Sequence, residues 1–306
     1  MKVASRCVCC GGADLARRPA VLMPFVAYRA FGWEPVAVTA DWGLRDLPPG
    51  HAHSVCATLQ CRACGLLFLD MRLDGNEMAA LYADYRGEAY RAARERFEPG
   101  YSDRNAILNA GSGYIPAVEA FLAPYLGPAP RVLDWGGDTG LNTPFRGRAA
   151  LHHVLDISDK PVVPGAARVS GAGLDPGGYD LVVSAQVLEH VSEPAALVAE
   201  MAAVLGEGTL LYLEVPHEDG VRLEPDPARR LDAKRHWHEH VNFFTEAALD
   251  AMLARAGLES VARLSHPVSA GGKASHVFSL IARRAASTRK VASTRQVVSA
   301  LDEAAG

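Results

Sequence analysis

No stretch of this sequence approaches the roughly 18 consecutive apolar residues that span a bilayer, so no transmembrane helix is expected. The opening residues, MKVASRCVCCGG, carry no apolar leader, so no signal peptide is expected either. Neither sign of charge dominates: 31 Lys and Arg stand against 35 Asp and Glu, a net charge of −4. That argues against the broad basic surface needed for nucleic-acid or anionic-membrane binding. A Gly-x-Gly-x-x-Gly loop is absent, which argues against a dinucleotide fold. Cysteine is scarce, at six residues, but the six fall in closely spaced groups, which suits metal binding in a reducing compartment better than disulfides. What remains, with 49% apolar and 22% charged residues in 306, is the composition of a cytoplasmic globular protein of one large or two ordinary domains.

The stretch RVLDWGGDTG, residues 131–140, organises the rest. A short apolar strand meets Asp134 and then a turn containing Gly136, Gly137 and Gly140. Glycines there let the backbone reach φ > 0 and bring amides against a ligand. A strand feeding such a loop is where open α/β sheets bind nucleotide-like molecules. Asp156, followed by Ile157, ends the next apolar segment 22 residues after Asp134, near the spacing at which an acid meets a ribose.

Cys7-Val-Cys-Cys10-Gly and Cys61-Arg-Ala-Cys64-Gly each contain a Cys-x-x-Cys followed by glycine, separated by about 50 residues. Four thiolates suit one tetrahedral Zn²⁺ in a closed, structural site. Cys9 and Cys56 are spare thiols, and His51 and His53 are alternative ligands in a surface loop. A nucleic-acid-binding ribbon would need a basic face, whereas residues 15–53 are mostly apolar with scattered arginines.

After a strand at 66–72, residues 76–97 are rich in helix formers with Gly87 as a break, and a second helix covers 115–126. GPAP at 127–130 marks a boundary. Strand-like segments then fall at 132–134, 153–156, 179–184, 209–215, 258–264 and 277–282, with helical stretches at 194–205 and 246–256. The alternation predicts an α/β fold, a mainly parallel Rossmann-like sheet with helices on both faces. The domains expected are a four-cysteine zinc unit at 1–75, a helical linker or lid at 76–128, a cofactor-binding domain at 129–285 and a tail at 286–306.

VLDWGGDTG, HVLDIS, YDLVVSAQVLEHV and GTLLYLEVP, in that order, resemble the class I S-adenosylmethionine-dependent methyltransferases. The resemblance covers about residues 130–285 and implies a seven-stranded sheet with an antiparallel final strand at 277–282. It implies that Asp134, Gly136, Gly137 and Gly140 shape the methionine end of the cofactor site. Asp156 would take the ribose hydroxyls with Ile157 beside it, and Ala185 and Gln186 would pass beneath the cofactor. Asp138 replaces the family's middle glycine. A carboxylate there would repel a pyrophosphate but suits a sulfonium, which disfavours a nicotinamide-dependent oxidoreductase.

RHWHEHVNFFT, residues 235–245, concentrates three histidines and Glu239 before Thr245, which suits the N-cap of the helix at 246–256. His236, His238 and His240 along an extended segment do not fix a tetrahedral metal geometry. The HEH run resembles the HEHFSYFS-type motif of sugar C-methyltransferases, which also carry an N-terminal Cys-x-x-Cys pair and a GSNDG-like cofactor loop; no counterpart of their additional C-terminal domain is expected in the short Ala/Ser-rich stretch after Arg284. That resemblance implies His240 as general base, with Glu239 as its orienter or a second polar group; His190, in LEHV, is the next candidate. The function expected is methyl transfer to a small molecule such as a sugar, a nucleotide-sugar or a specialised metabolite. The alternatives are a zinc-ribbon module binding RNA or protein on a degenerate scaffold, and the oxidoreductase.

Overall fold

The computed structural model describes residues 1–37, 39, 54–270 and 273–286. His51, His53 and the tail from 287 onward lie outside those residues. The N-terminal strands are β1 (Lys2–Val3), β2 (Leu15–Leu22), β3 (Cys56–Cys61), β4 (Leu67–Leu69) and β5 (Met71–Arg72), with α1 (Pro24–Phe31) between β2 and β3. Part of the stretch between the two cysteine knuckles is regular: β2 pairs antiparallel with β3 from Leu15–Cys61 to Ala20–Cys56.

Helices follow: α2 (Gly75–Tyr82), α3 (Glu88–Phe97), α4 (Tyr101–Asn109) and α5 (Ile115–Leu122). Asp74 caps α2 in a reciprocal box with Glu77, satisfying donors that a helix start leaves free. The expected helix at 76–97 is split where Gly87 caps α3. Phe25, Val26, Leu73, Leu81, Tyr90 and Tyr101 hold α1 to α4 together in one apolar cluster.

The larger sheet comprises β6 (Arg131–Trp135), β7 (Leu151–Leu155), β8 (Ala167–Arg168), β9 (Leu181–Ala185), β10 (Leu210–Pro216), β13 (Leu258–Ala270) and β14 (Lys273–Arg284). Its order is β13-β14-β10-β9-β6-β7-β8. The strands from β8 to β10 run parallel, and β14 lies antiparallel to both β10 and β13. The expected antiparallel final strand is thus present, longer than 277–282. β8 was not foreseen, because two residues in a Pro- and Gly-containing stretch leave no periodicity to read.

The central strands are apolar on both sides, as a sheet covered on two faces requires: Leu181, Val182 and Val183 are all buried. One face packs α5 through Val118 and Leu122. The other packs α6 (Pro194–Val204) and α9 (Glu246–Arg255) through Val198, Met201, Leu249 and Met252. Thr245 caps α9 as expected, accepting the N–H of Ala248. The connections from β6 to β7 and from β7 to β8 contain turns instead of α-helices, and buried Phe145 fills the space.

After β10 come α7 (Asp219–Arg222), α8 (Pro227–Ala233), β11 (His236–Trp237) and β12 (Asn242–Phe243). These last two strands do not lead straight into the larger sheet. They close the N-terminal sheet at both edges, in the order β11-β2-β3-β4-β12. Trp237, fully buried, anchors β11 by donating its indole N–H to Thr58. The histidine-rich segment therefore belongs structurally to the cysteine-bearing unit, although the two lie far apart in sequence. Periodicity within a segment cannot reveal such a partner.

Candidate active site

The loop after β6 is shaped by what a side chain would strike. At Gly136, with φ +85°, an added Cβ would lie 2.4 Å from Val187. At Gly137 it would lie 2.4 Å from the Asp134 carboxylate, and at Gly140, with φ +75°, 2.9 Å from Val154. Asp138 takes φ +51° without being glycine, and its carboxylate is held by Ser158 at 3.2 Å and Lys160 at 3.1 Å. Its N–H donates to one oxygen of Asp156 at 2.8 Å, while the N–H of Ser158 donates to the other at 2.7 Å. Asp156 is thereby fixed at the end of β7 with lone pairs to spare.

Asp134 lies behind the loop, buried, accepting the Thr143 hydroxyl. Burial pushes its carboxyl up to about 7, and the charge of Asp156 adds to the effect. Ile157 stands 82% exposed next to Asp156, an apolar side chain with nothing over it among the described residues. Ala185 ends β9, and Gln186, at φ +58°, donates its side-chain amide to Glu214 at 3.0 Å. Buried Glu214, absent from the sequence expectations, also accepts Tyr114 at 2.7 Å and Tyr212 at 2.6 Å.

A second constellation lies across Val187. The carbonyl of Glu189 accepts the N–H groups of Val241 at 2.7 Å and Asn242 at 3.1 Å. Buried Arg72 donates to the carbonyls of Leu69, Val191 and Ser192 and to the side chain of Asn242. These bonds tie the turn after β9 to β12 and bring His190 against His240, ring centroids 4.7 Å apart at 84°. His240 Nδ1 lies 3.0 Å from the Glu218 carboxylate. His190 Nδ1 lies 2.8 Å from the Tyr82 hydroxyl and 3.1 Å from the carbonyl of Glu239.

Burial drives His190 well below the ordinary histidine range, helped by the nearby charge of His240. Burial alone would lower His240 as well, but the hydrogen bond to Glu218 and the charge of Glu189 raise it above its usual value. The Glu189 carboxylate, 1% exposed, has no hydrogen-bond partner on either oxygen among the described residues, and burial pushes it up to about 7.

Glu239 sits elsewhere than the sequence suggested. Its carboxylate accepts Tyr90 and Arg94 of α3, so the group oriented toward His240 is Glu218 and not Glu239. His238 pairs with Glu98, and His236 points to solvent. The three histidines of one segment thus face three directions, which removes the metal arrangement made from them alone. Sequence reasoning missed Glu189, Glu218 and Tyr82. Glu189 was visible only as a neighbour of His190, and the other two carry no local pattern.

At the N-terminal sheet, the Sγ atoms of Cys7 and Cys64 lie 3.5 Å apart, as do those of Cys10 and Cys61, and all four fall within 4.8 Å of one another. Zn–S arms of about 2.3 Å give tetrahedral edges of ~3.8 Å, so this donor set fits zinc. Gly11 and Gly65 take φ +78° and +76°, the left-handed turn each knuckle requires. The N–H of Gly12 points at Cys10 Sγ, 3.4 Å away. Of the spare thiols, Cys9 is fully buried beside Cys7, and Cys56 donates to the carbonyl of Ala20.

A family model described as a methyltransferase domain matches residues 105–263. Among solved structures, the chain is similar to magnesium protoporphyrin IX methyltransferase from Synechocystis PCC 6803 with bound SAH. That match has 19% identity and a TM-score of 0.42, over 66% of this chain and 97% of that one. It is also similar to 1,6-didemethyltoxoflavin-N1-methyltransferase from Burkholderia thailandensis, with bound 1,6-didemethyltoxoflavin and S-adenosylhomocysteine. There the identity is 18% and the TM-score 0.46, over 78% of this chain and 99% of that one. No curated protein matches the sequence.

Proposed function

From the premise that this chain belongs to the methyltransferase-domain family, we propose that it transfers a methyl group from S-adenosylmethionine to a small-molecule acceptor. The observation that carries this reading is the packing of Gly136 on Val187. The loop suited to the cofactor touches the segment that bears Glu189 and His190, so a ligand lying along the loop ends beside the histidines.

When bound, S-adenosylmethionine supplies a methyl group on an already activated sulfonium. Asp134, Gly136, Gly137, Asp138 and Gly140 shape the space for its methionine end. Asp156 takes the ribose hydroxyls with the lone pairs left after two backbone bonds. Exposed Ile157 gives the adenine an apolar surface. Ala185 and Gln186 form the floor, which Glu214 holds from below.

The acceptor's proton passes to His240, whose Nδ1 is held by Glu218, so that a carboxylate offsets the positive charge formed on the ring. His190, kept neutral by burial, is the second candidate and presents its ring beside the first. Glu239 acts through the lid, fixing α3 by way of Arg94. The acceptor is a sugar, a nucleotide-linked sugar or a specialised metabolite, a class favoured by the HEH motif and the paired cysteine knuckles.

Cys7, Cys10, Cys61 and Cys64 hold one structural Zn²⁺, which supplies folding energy and leaves no position for substrate. In domain terms, 1–75 is the zinc platform, 76–128 the helical lid, 129–285 the cofactor domain and 286–306 a tail. Residues 236–243 close the platform's sheet and carry His240 on it. Among the described residues no helix is long and apolar enough to cross a membrane, and reduced thiols suit the cytoplasm. Calorimetric titration with S-adenosylhomocysteine beside NAD tests the class: binding of the first alone is expected, and binding of NAD alone would overturn it.

A further inference from the structure

Glu189, His190 and His240 offer one ligand atom each within 4.8 Å of one another. The other hydrogen bonds of each ring leave Nε2 as the nitrogen available to a ligand. His190 Nδ1 faces the Tyr82 hydroxyl at 2.8 Å and the carbonyl of Glu239 at 3.1 Å. The carbonyl can only accept and the hydroxyl can accept as well, so an Nδ1 hydrogen shared between them leaves the lone pair on Nε2, the tautomer a metal site here requires. His240 Nδ1 faces the Glu218 carboxylate, which gives the same tautomer. Both Nε2 atoms are therefore acceptors.

The third member is the Glu189 carboxylate, buried, 3.7 Å from His190 Nε2 and without a donor on either oxygen among the described residues. Three acceptors converging in a desolvated place hold either a proton or a metal cation between them. Imidazoles whose other nitrogen is held by a carbonyl or a carboxylate are the outer-shell pattern of metal-binding histidines.

We propose that Glu189, His190 and His240 form a second divalent-cation site, separate from the four cysteines and taking a borderline ion such as Zn²⁺, Co²⁺ or Ni²⁺. Two imidazoles and one carboxylate select these ions over Mg²⁺ and Ca²⁺, which prefer oxygen. Arms of about 2.0–2.1 Å give tetrahedral edges of ~3.3 Å, so the present separations, 3.7 Å between Glu189 and His190 and within 4.8 Å for all three, must shorten by side-chain movement. Three protein ligands leave a coordination position open, unlike the closed four-cysteine set.

The site goes beyond the methyl-transfer reading and stands without it. It also bears on it: a cation on His240 Nε2 occupies the atom assigned to the acceptor's proton, so the two states of His240 exclude each other. Filling the site therefore suppresses transfer by the histidine route.

The test is metal analysis of the full chain after dialysis against Zn²⁺, with Co²⁺ titration in parallel. Two equivalents per chain are expected in the wild type. Cobalt in the first site shows thiolate charge transfer, and cobalt in the second shows ligand-field bands without it. Glu189→Gln and His240→Ala should each lose the second equivalent and keep the first. His240 is the more exposed of the two, so its variant carries the test if Glu189→Gln does not fold. A single thiolate-type equivalent in the wild type overturns the site, as does a second equivalent that persists in His240→Ala. Since neither readout uses S-adenosylmethionine, failure of the methyl-transfer reading would appear separately, in the titration with S-adenosylhomocysteine.

Discussion

Glu218 and His240 are joined by a 3.0 Å hydrogen bond between a carboxylate oxygen and Nδ1. The bond links Glu218, two residues after β10 of the larger sheet, to the connection between β11 and β12 of the smaller one. It fixes a ring that is otherwise carried on a short irregular segment, and it does so from the unit of the larger sheet. The position of the ring, and the base role proposed for it, depend on both units being docked.

His240→Ala is accordingly expected to slow methyl transfer in metal-free protein by roughly 10²-fold or more, with affinity for S-adenosylhomocysteine unchanged. Glu218→Gln should give a smaller loss in kcat, since the amide keeps a hydrogen-bond acceptor but not the charge. Single-turnover rates beside calorimetric titration check both. A full-rate His240→Ala enzyme would move the role to His190.

Gly136 is the sharpest structural test of the cofactor loop. An added Cβ would meet Val187 at 2.4 Å while the backbone keeps φ +85°. Gly136→Val should abolish binding of S-adenosylhomocysteine while leaving far-ultraviolet circular dichroism near wild type, because the clash is confined to the loops that follow β6 and β9. Backbone strain there costs about 1–3 kcal/mol even before the clash. Retained affinity would place the cofactor elsewhere.

Cys61→Ser, or strong chelation, should remove zinc and lower the melting temperature by several degrees or more. The loss should not stay local: Cys7, Cys61 and Cys64 share one buried cluster with Phe244, Ala248 and Met252 of the larger unit. Hydrogen exchange should therefore rise in α9 as well as in β3. Unchanged melting with no zinc by metal analysis would refute the structural role.

Asp134 gives a pH dependence whose sign is fixed by burial. Its carboxyl is raised from the ordinary value of about 3.9 to about 7 in the folded chain. Its contribution to stability is therefore fully present below the unfolded value and lost as pH rises through about 7. Asp134→Asn removes that loss. Relative to wild type, the variant should gain at least ~1 kcal/mol on going from pH 5 to pH 8, read from denaturant melts at both. A difference independent of pH would show that Asp134 is not buried in its neutral form.

The sequence revealed those parts of the fold that repeat a local rule. The strand into Gly136, the acid at Asp156, the apolar run ending at Ala185 and the Thr245 cap each depend on residues a few positions apart. The two cysteine knuckles were legible for the same reason. What remained hidden depends on partners remote in the chain. The carbonyl of Glu189 orders residues 241 and 242, and Arg72 bonds to three separate segments. Neither leaves a periodic trace. His236, His238 and His240 looked equivalent in the sequence because alternation gives the side of a strand and not the neighbour that takes each side chain.

Glu239 shows what that difference means for experiment. Adjacent to His240, it was expected to orient the base, yet its carboxylate accepts Tyr90 and Arg94 across the interface between α3 and the platform. Arg94 is only 12% exposed in its side chain and also stacks 4.9 Å over Phe25 and 4.5 Å over Tyr101. Removing the carboxylate leaves Arg94 paired with Glu98 alone, at 3.0 Å, in a largely apolar setting, so the loss falls short of the roughly 3–5 kcal/mol of a fully stranded buried charge. Glu239→Gln should therefore lower the melting temperature and raise hydrogen exchange in α3, while zinc content stays unchanged. If Glu239 instead oriented the base, the same variant would keep its stability and lose kcat. The two outcomes point in opposite directions, so one protein preparation decides between them.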